Sequence, residues 1–410
     1  MGENTGREVE LTVERIAHGG ISVGRLDGRV VFVADAIPGE TVRARISDDR
    51  KKSFWRADAI EVLHPSEHRR DHVWPVASID RDPRQRAGGA EFGHIALSHQ
   101  RELKRQVLAE SLQRMAGIES DVKVEQLPGD HAANGLGWRT RIRLHVDDEG
   151  RIGPMASRSH TVIPVTDAPL ASPAVQAATP FSERFTGLGT VDVLAPTVGD
   201  ARLVLGEQKP TVISERVGDR TFRLDDTGFW QVHREAPAAL TAAVQGAIDD
   251  AIFDPRAANL DLYGGVGLLA AAVGDRFGAA TRITTVESDE RATEHAAENL
   301  AEWVGAAAVT ARVDRFLREL EQSASAAERA RLRAATVVLD PPRSGAGTEV
   351  MAVLGRLAPA QLVYVACDPV ALARDVALAA QHGYRLAGLR AFDLFPHTHH
   401  VEAVASLGRD

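Results

Sequence analysis

Cys367 is the only cysteine in a chain of 410 residues. It follows the apolar run Leu362-Val363-Tyr364-Val365-Ala366 and precedes Asp368-Pro369. Such a run reads as a buried strand, so the thiol stands where a strand gives way to a turn. In open α/β sheets, ligands bind outside the carboxyl ends of strands. A thiol there can act as a nucleophile, although a lone cysteine can equally be a small buried hydrophobe. Glu402 is its natural counterpart, a carboxylate at the start of a second apolar run, Val401-Glu402-Ala403-Val404-Ala405. An unpaired charge is costly in such a strand. Burial would raise its pKa and suit it to proton transfer; on the solvent side of the strand it would do nothing.

Three further groups carry chemistry. Asp261-Leu262-Tyr263-Gly264-Gly265-Val266-Gly267 follows a strand and opens a helix, and Glu287 lies 20 residues beyond Gly267 at the end of the next strand. Glycines there let backbone approach a nucleotide-like ligand, and a carboxylate at the second strand end can accept from ribose hydroxyls. The pair points to a nucleoside-bearing cofactor and by itself does not separate a dinucleotide from S-adenosylmethionine. Asp340-Pro341-Pro342-Arg343 ends a fourth apolar strand, and its prolines stiffen the loop that holds Asp340. In Phe229-Trp230-Gln231-Val232-His233 the Gln231 amide can bridge a cofactor and a base. His397, His399 and His400 lack a fourth ligand at suitable spacing and alternate faces, which argues against zinc.

These residues require a sheet. From Pro237 onward, Ala-rich helical segments alternate with apolar strands at residues 259–262, 282–286, 335–339, 362–365 and 401–405, the rhythm of a doubly wound, Rossmann-like α/β fold. Residues 9–63 read instead as five short strands with turns at His18-Gly19-Gly20 and Asp27-Gly28, which suits a small OB-like barrel. Between them, Leu103, Val107, Leu108, Leu112 and Met115 keep helical spacing over residues 100–115, and residues 135–224 alternate strands and turns. The division expected is 1–64 barrel, 65–235 middle β-rich α+β region with a helix near 100–116 packed on the catalytic domain, and 236–410 catalytic domain.

Composition bounds the function. Hydrophobic residues make up 44% of the chain, enough for real cores. One cysteine excludes a disulfide framework and any cluster held by several thiolates. The polar start and the absence of a long apolar stretch point to a cytoplasmic protein with no membrane partner. A net charge of −9 argues against nonspecific coating of nucleic acid. Two basic patches nevertheless suit phosphate: Arg43, Arg45, Arg50, Lys51, Lys52 and Arg56, and the alternating Arg139, Arg141 and Arg143.

Taken in order, these motifs resemble those of the S-adenosylmethionine-dependent RNA uracil-5-methyltransferases, over nearly the whole chain. Residues 9–63 resemble a TRAM domain, an OB-like RNA-binding module. The motifs that carry the resemblance are Phe229-Trp230-Gln231-Val232, Asp261-Leu262-Tyr263-Gly264-Gly265, Val286-Glu287, Leu339-Asp340-Pro341-Pro342-Arg343, Ala366-Cys367-Asp368-Pro369 and Phe395-Pro396-His397-Thr398-His399-His400-Val401-Glu402. The resemblance implies a class I methyltransferase domain, Cys367 as nucleophile and Glu402 as general base. It puts Gln231, Tyr263, Gly265, Glu287 and Asp340 at the S-adenosyl-L-methionine site. It implies a transfer RNA or large-subunit ribosomal RNA substrate, and no DNA. Ala366 and Asp368 stand where the family pattern has Ser and Asn, and His233 where it has Asn; Asp368 would alter loop hydrogen bonding or raise the thiol pKa. Trp74-Pro75, Ala87-Gly88-Gly89-Ala90 and Ala168-Pro169 occupy the places of the cysteines that bind an iron–sulfur cluster in many relatives, so no cluster is expected. The same fold would also serve a base-nitrogen methyltransferase, a noncatalytic RNA-binding relative or a nicotinamide oxidoreductase.

Overall fold

A computed structural model describes residues 3–157, 159–206 and 208–409. Five strands come first: β1 (Glu8–Ala17), β2 (Ile21–Leu26), β3 (Arg29–Ala34), β4 (Thr41–Asp48) and β5 (Phe54–His64). They close a barrel in the order β1-β2-β3-β5-β4. β1 alternates exposed and buried residues, which puts Val9, Leu11 and Val13 inside with Val31, Val33, Val42, Ile46 and Trp55.

Helix α1 (Leu97–Ala116) then stops at Gly117, whose left-handed φ of 68° lets its N–H reach back to the carbonyls of Gln113 and Leu112. α1 packs on the last long helix of the chain, α9 (below), and β6 (Val124–Gln126) pairs with the edge of the C-terminal sheet. The middle region supplies β7 (Arg141–Val146), β8 (Ile152–Gly153), a short α2 (Pro173–Ala178), β9 (Thr190–Leu194) and β10 (Arg202–Leu205), which form a sheet ordered β10-β9-β7-β8. A hairpin, β11 (Val212–Val217) with β12 (Arg220–Asp225), and α3 (Ala236–Ala247) lead on to the last domain. There the elements are β13 (Asn259–Leu262), α4 (Leu268–Phe277), β14 (Ile283–Glu287), α5 (Glu290–Asn299), β15 (Ala306–Thr310), α6 (Val313–Ser323), α7 (Ala326–Arg333), β16 (Thr336–Leu339), α8 (Gly347–Leu357), β17 (Gln361–Ala366), α9 (Pro369–Ala380), β18 (Tyr384–Asp393) and β19 (Glu402–Arg409).

The eight-stranded sheet runs β15-β14-β13-β16-β17-β19-β18-β6. β15 to β17 are parallel neighbours, and β19 lies antiparallel between β17 and β18. Helices cover both faces, so β13, β16 and β17 are buried at every residue; β16 and β17 are largely apolar, while β13 buries Asn259 and Asp261 between its leucines. The chain leaves β13 toward β14 and β15, then returns to β16 on the other side. That reversal opens a crevice at the carboxyl ends of β13 and β16.

The structure corrects two readings. The basic patches are largely spent on the protein's own carboxylates. Arg43 pairs with Glu61, Arg45 with Glu8 and Asp82, Arg50 with Asp48, Arg141 with Glu215, and Arg143 with Asp192. Lys51, Lys52 and Arg56 are not in that set; Lys51 and Lys52 are exposed, and Arg56 sits over the rings of Phe32 and Phe54. Arg139 faces the crevice. The sheet also has three strands beyond the five expected. β6 is three residues long, β15 is the Ala-rich Ala306-Ala307-Ala308-Val309-Thr310, and β18 carries Arg385, Gly388 and Arg390 in its exposed half.

Candidate active site

All seven residues singled out from sequence, Gln231, Tyr263, Gly265, Glu287, Asp340, Cys367 and Glu402, line one crevice of about 1200 Å³. Its floor is set by strand register. Ala366 of β17 and Ala403 of β19 form the last pair of their antiparallel ladder, and Cys367 and Glu402 are the residues that adjoin that pair on its crevice side. The Glu402 charge acts on the Cys367 thiol, second only to burial. The sulfur and the carboxyl thus meet in one cavity because the two strands end side by side there.

Electrostatics at this floor are those of crowded acids. Glu402 is buried, and no hydrogen bond reaches its carboxyl among the described residues. Burial, then the neighbouring Asp340, push its pKa well above the usual carboxylate range, while Arg343 pulls the other way. Asp340, at the end of β16, is raised to about 7 by burial and by Asp261 behind it. The half-buried Cys367 thiol is pushed up to about 12, first by burial, then by Glu402 and Asp340, with Arg343 the opposing cation. Burial thus pushes both the Cys367 thiol and the Glu402 carboxyl toward their neutral forms.

The far end is built to receive a nucleoside. Tyr263 takes a left-handed φ of 63° at the end of β13, turning the chain into Gly264-Gly265. A β-carbon on Gly264 would lie 1.9 Å from Thr285 Oγ1 and 2.5 Å from Asp261 Oδ2, so only glycine lets the loop pass this close to the sheet. Glu287 ends β14 with its carboxylate held in place: Oε2 accepts from Gly265 N at 3.1 Å, and Oε1 from Ser288 N at 2.6 Å and Asp289 N at 2.9 Å. A fixed acceptor beside an open glycine loop at a topological switch point fits the ribose of a nucleoside-bearing methyl donor.

The flanking motifs resolve into support. His233 is buried, stacks on Trp138 with centroids 5.4 Å apart, and meets both oxygens of Asp130 at 3.2 Å. Its ring thus anchors the segment that presents Gln231. His397 is buried between Asn134 O at 2.8 Å and Gln100 Nε2 at 3.0 Å, His399 faces Glu91, and His400 meets Arg343 Nη2 at 3.2 Å. Among the described residues no group of three or more His, Cys, Asp or Glu is arranged to hold a metal. Trp74, Ala87 and Ala90 pack in one apolar cluster with Trp138 and Ile163.

Sequence reasoning missed the buried Lys104–Asp393 ion pair at 2.5 Å, from whose lysine a second bond reaches Phe395 O at 3.0 Å. This pair ties α1 to the loop that leads into Glu402. The signal was present, since Lys104 sits between Leu103 and Val107 on the apolar stripe of α1, where a charge needs a partner. Arg139, from one of the two basic patches, and Arg343, from the Asp-Pro-Pro-Arg motif, face the crevice together with Arg291 and Arg312, which sequence reasoning did not single out.

Comparison with known proteins agrees with this architecture. A family model for the TRAM domain matches residues 2–58, and one for tRNA (Uracil-5-)-methyltransferase matches residues 250–410. An uncharacterized RNA methyltransferase of Streptomyces avermitilis is 36% identical over 98% of each chain. The 23S rRNA (uracil(1939)-C(5))-methyltransferase RlmD of Pseudomonas fluorescens is 30% identical over 98% of this chain and 94% of its own. The chain belongs to the RNA (uracil-5-)-methyltransferase family. It is thus an S-adenosylmethionine-dependent RNA methyltransferase with a TRAM domain. The fold matches the crystal structure of Pyrococcus abyssi tRNA (uracil-54, C5)-methyltransferase in complex with S-adenosyl-L-homocysteine, with a TM-score of 0.69 at 21% identity over 97% of this chain and all of that one. No helix among the described residues is long and apolar enough to cross a membrane.

Proposed function

We propose that this methyltransferase modifies C5 of a specific uridine through a covalent bond between Cys367 Sγ and uracil C6, with Glu402 as general base. The observation that carries the reading is that Cys367 and Glu402, next to the last pair of the β17–β19 ladder, line one crevice with the Glu287 carboxylate. Uracil C5 is a poor nucleophile. Addition of sulfur to C6 moves the ring π electrons toward C5 and O4, making C5 an enolate carbon. S-adenosylmethionine, when bound, supplies an electrophilic sulfonium methyl. Gln231, Tyr263, Gly265, Glu287 and Asp340 would hold it beside the ring. After C5 has gained its methyl, the ionised Glu402 carboxylate takes the C5 proton, the C5–H electrons re-form the C5=C6 double bond, and the C6–S bond breaks with Cys367 leaving as thiolate.

The raised pKa values suit this order of events. Burial and the neighbouring acids favour the protonated thiol, and Arg343 is the cation that favours its ionisation. A carboxyl pushed upward is a stronger base once ionised than an exposed one. The target base cannot be reached in a stack and has to be flipped out. Exposed Phe229 at the rim, and Arg139 and Arg343 inside, suit an extruded nucleotide and its phosphates.

A large-subunit ribosomal RNA substrate is favoured by the RlmD relative, which spans nearly the whole chain; transfer RNA is the alternative. Mass mapping of 5-methyluridine in both RNAs from a strain lacking the gene, with and without a Cys367→Ala copy, tests the whole reading. One uridine in 23S rRNA should lose its methyl and stay unmethylated with the Cys367→Ala copy. Restoration by that copy would refute the covalent route, and a loss confined to transfer RNA would refute the ribosomal assignment.

A further inference from the structure

The β1–β2 turn of the barrel, His18-Gly19-Gly20, reaches across to the catalytic domain. His18 Nε2 lies 2.7 Å from Asp368 Oδ2, across 350 residues of sequence. Asp368 is the residue after the thiol, and its two oxygens have separate tasks. Oδ1 accepts from Val370 N at 3.0 Å and Ala371 N at 2.8 Å, which caps α9. Oδ2 is left for His18. Two residues along, Gly20 has a φ of +72°, and a β-carbon there would come within 2.5 Å of His399 Cβ and 3.0 Å of Phe92 Cε1. One barrel turn therefore lies flush against both loops that carry the reacting groups: the Cys367 loop through Asp368, and the approach to Glu402 through His399.

We propose that His18 is a positioning residue of the methyltransferase, through which the RNA-binding barrel holds the nucleophile loop and offsets the charge that Asp368 places next to the thiol. The inference rests on Cys367 being the attacking thiol. Burial, Glu402 and Asp340 push the Cys367 thiol up most, and the charge of Asp368, its neighbour in the chain, adds a smaller push in the same direction. An imidazolium at hydrogen-bond distance cancels most of that field. The shifts agree with an ion pair: the bond to Asp368 raises His18 against the effect of its burial. For Asp368, burial pushes upward, but the bonds from His18, Ala371 and Val370 outweigh it and hold the carboxyl below its usual range.

The small hollow around this pair, about 230 Å³, is also faced by Lys104 from α1, by Arg343, and by His399 and His400; Asp368 is the one acid on its wall. Lys104 is committed to Asp393, Arg343 to His400, and His399 to Glu91, while Arg15 of β1 faces Glu110 of α1. His18 is therefore the cation placed to answer Asp368.

Because Cys367 is the only cysteine, its reactivity toward a small methanethiosulfonate reagent can be followed in the full-length protein without RNA or methyl donor. In His18→Ala that rate should fall roughly three- to tenfold at pH 6.5, a thiol shift of up to about one pH unit. The difference from wild type should shrink as pH rises and wild-type His18 loses its proton. Asp368→Asn, which keeps the cap, should react faster than wild type, and adding His18→Ala to it should change nothing. His18→Arg should restore the rate. In single-turnover methylation of an RNA transcript, His18→Ala should lower the rate by a similar factor and leave S-adenosylmethionine binding within twofold. Equal reactivity of His18→Ala and wild type at pH 6.5 would overturn the proposal, as would an effect of equal size in the Asp368→Asn background, or altered thiol reactivity with an unchanged methylation rate. If Cys367→Ala itself methylates, the covalent reading fails while the thiol measurements still report on the His18–Asp368 contact.

Discussion

Replacing Glu402 by Gln separates the energetic role of this side chain from its chemical one. The wild-type carboxyl is buried, and burial, then Asp340, raise its pKa well above the ordinary carboxylate value. Gln is nearly the same size and always neutral, so at pH 5 the two proteins should unfold at nearly the same denaturant concentration. As pH rises above the unfolded carboxyl's value of about 4.5, the unfolded wild type releases its Glu402 proton while the folded protein keeps it. Wild-type stability is therefore lost progressively until pH passes the raised folded value. Each pH unit in that window costs wild type about 1.4 kcal/mol relative to the variant. Asp340 titrates in both proteins and cancels to first order in the difference. Urea unfolding at pH 5, 6 and 7 should show the variant gaining roughly 1.4 kcal/mol per unit. Activity should move the other way. Loss of the acceptor for the C5 proton should slow turnover by about 10²- to 10⁴-fold, about 3 to 5 kcal/mol of activation barrier, and a protein–RNA adduct should accumulate on denaturing gels. A stability difference that stays flat with pH would show that the folded protein does not hold Glu402 protonated, and wild-type turnover without trapped adduct would refute its role as base.

The other outcomes concern the thiol, the donor site and the frame. With its pKa near 12 against an ordinary 9.0, Cys367 should be ionised about a thousandfold less than a free thiol at pH 7.5, and its alkylation rate should still be climbing above pH 9; a plateau at pH 9 would contradict that. Glu287→Ala removes the fixed acceptor at the end of β14 and should weaken S-adenosylmethionine binding by roughly 10- to 100-fold in calorimetry, whereas an unchanged affinity would place the ribose elsewhere. Lys104→Met leaves Asp393 buried without its cation and should cost about 3 to 5 kcal/mol, read as a fall in the thermal midpoint; Lys104→Met with Asp393→Asn should recover part of the loss.

The residues that define the chemistry were legible because chemistry restricts residue type. A cysteine after an apolar run, a carboxylate inside another, a glycine loop followed by a strand-end Glu, and Asp-Pro-Pro-Arg all depart from what a plain core would contain. Apolar runs also announced β16 and β17, since strands covered by helices on both faces have no reason to alternate. Short or polar edge strands carry no such mark, so β6, β15 and β18 became visible only where their neighbours offered free backbone groups to pair with. The arginine patches misled for a related reason: sequence shows charge, while the partners that neutralise it, such as Asp192 for Arg143 and Glu215 for Arg141, come from distant strands. His233 and Asp130, Lys104 and Asp393, and His18 and Asp368 are likewise pairs that only folding assembles. Local composition thus determined which atoms react and which elements carry them. Tertiary structure decided their electrostatics, because a pKa depends on burial and on every charge within a few ångströms, and those neighbours are brought together by register and domain packing across hundreds of residues.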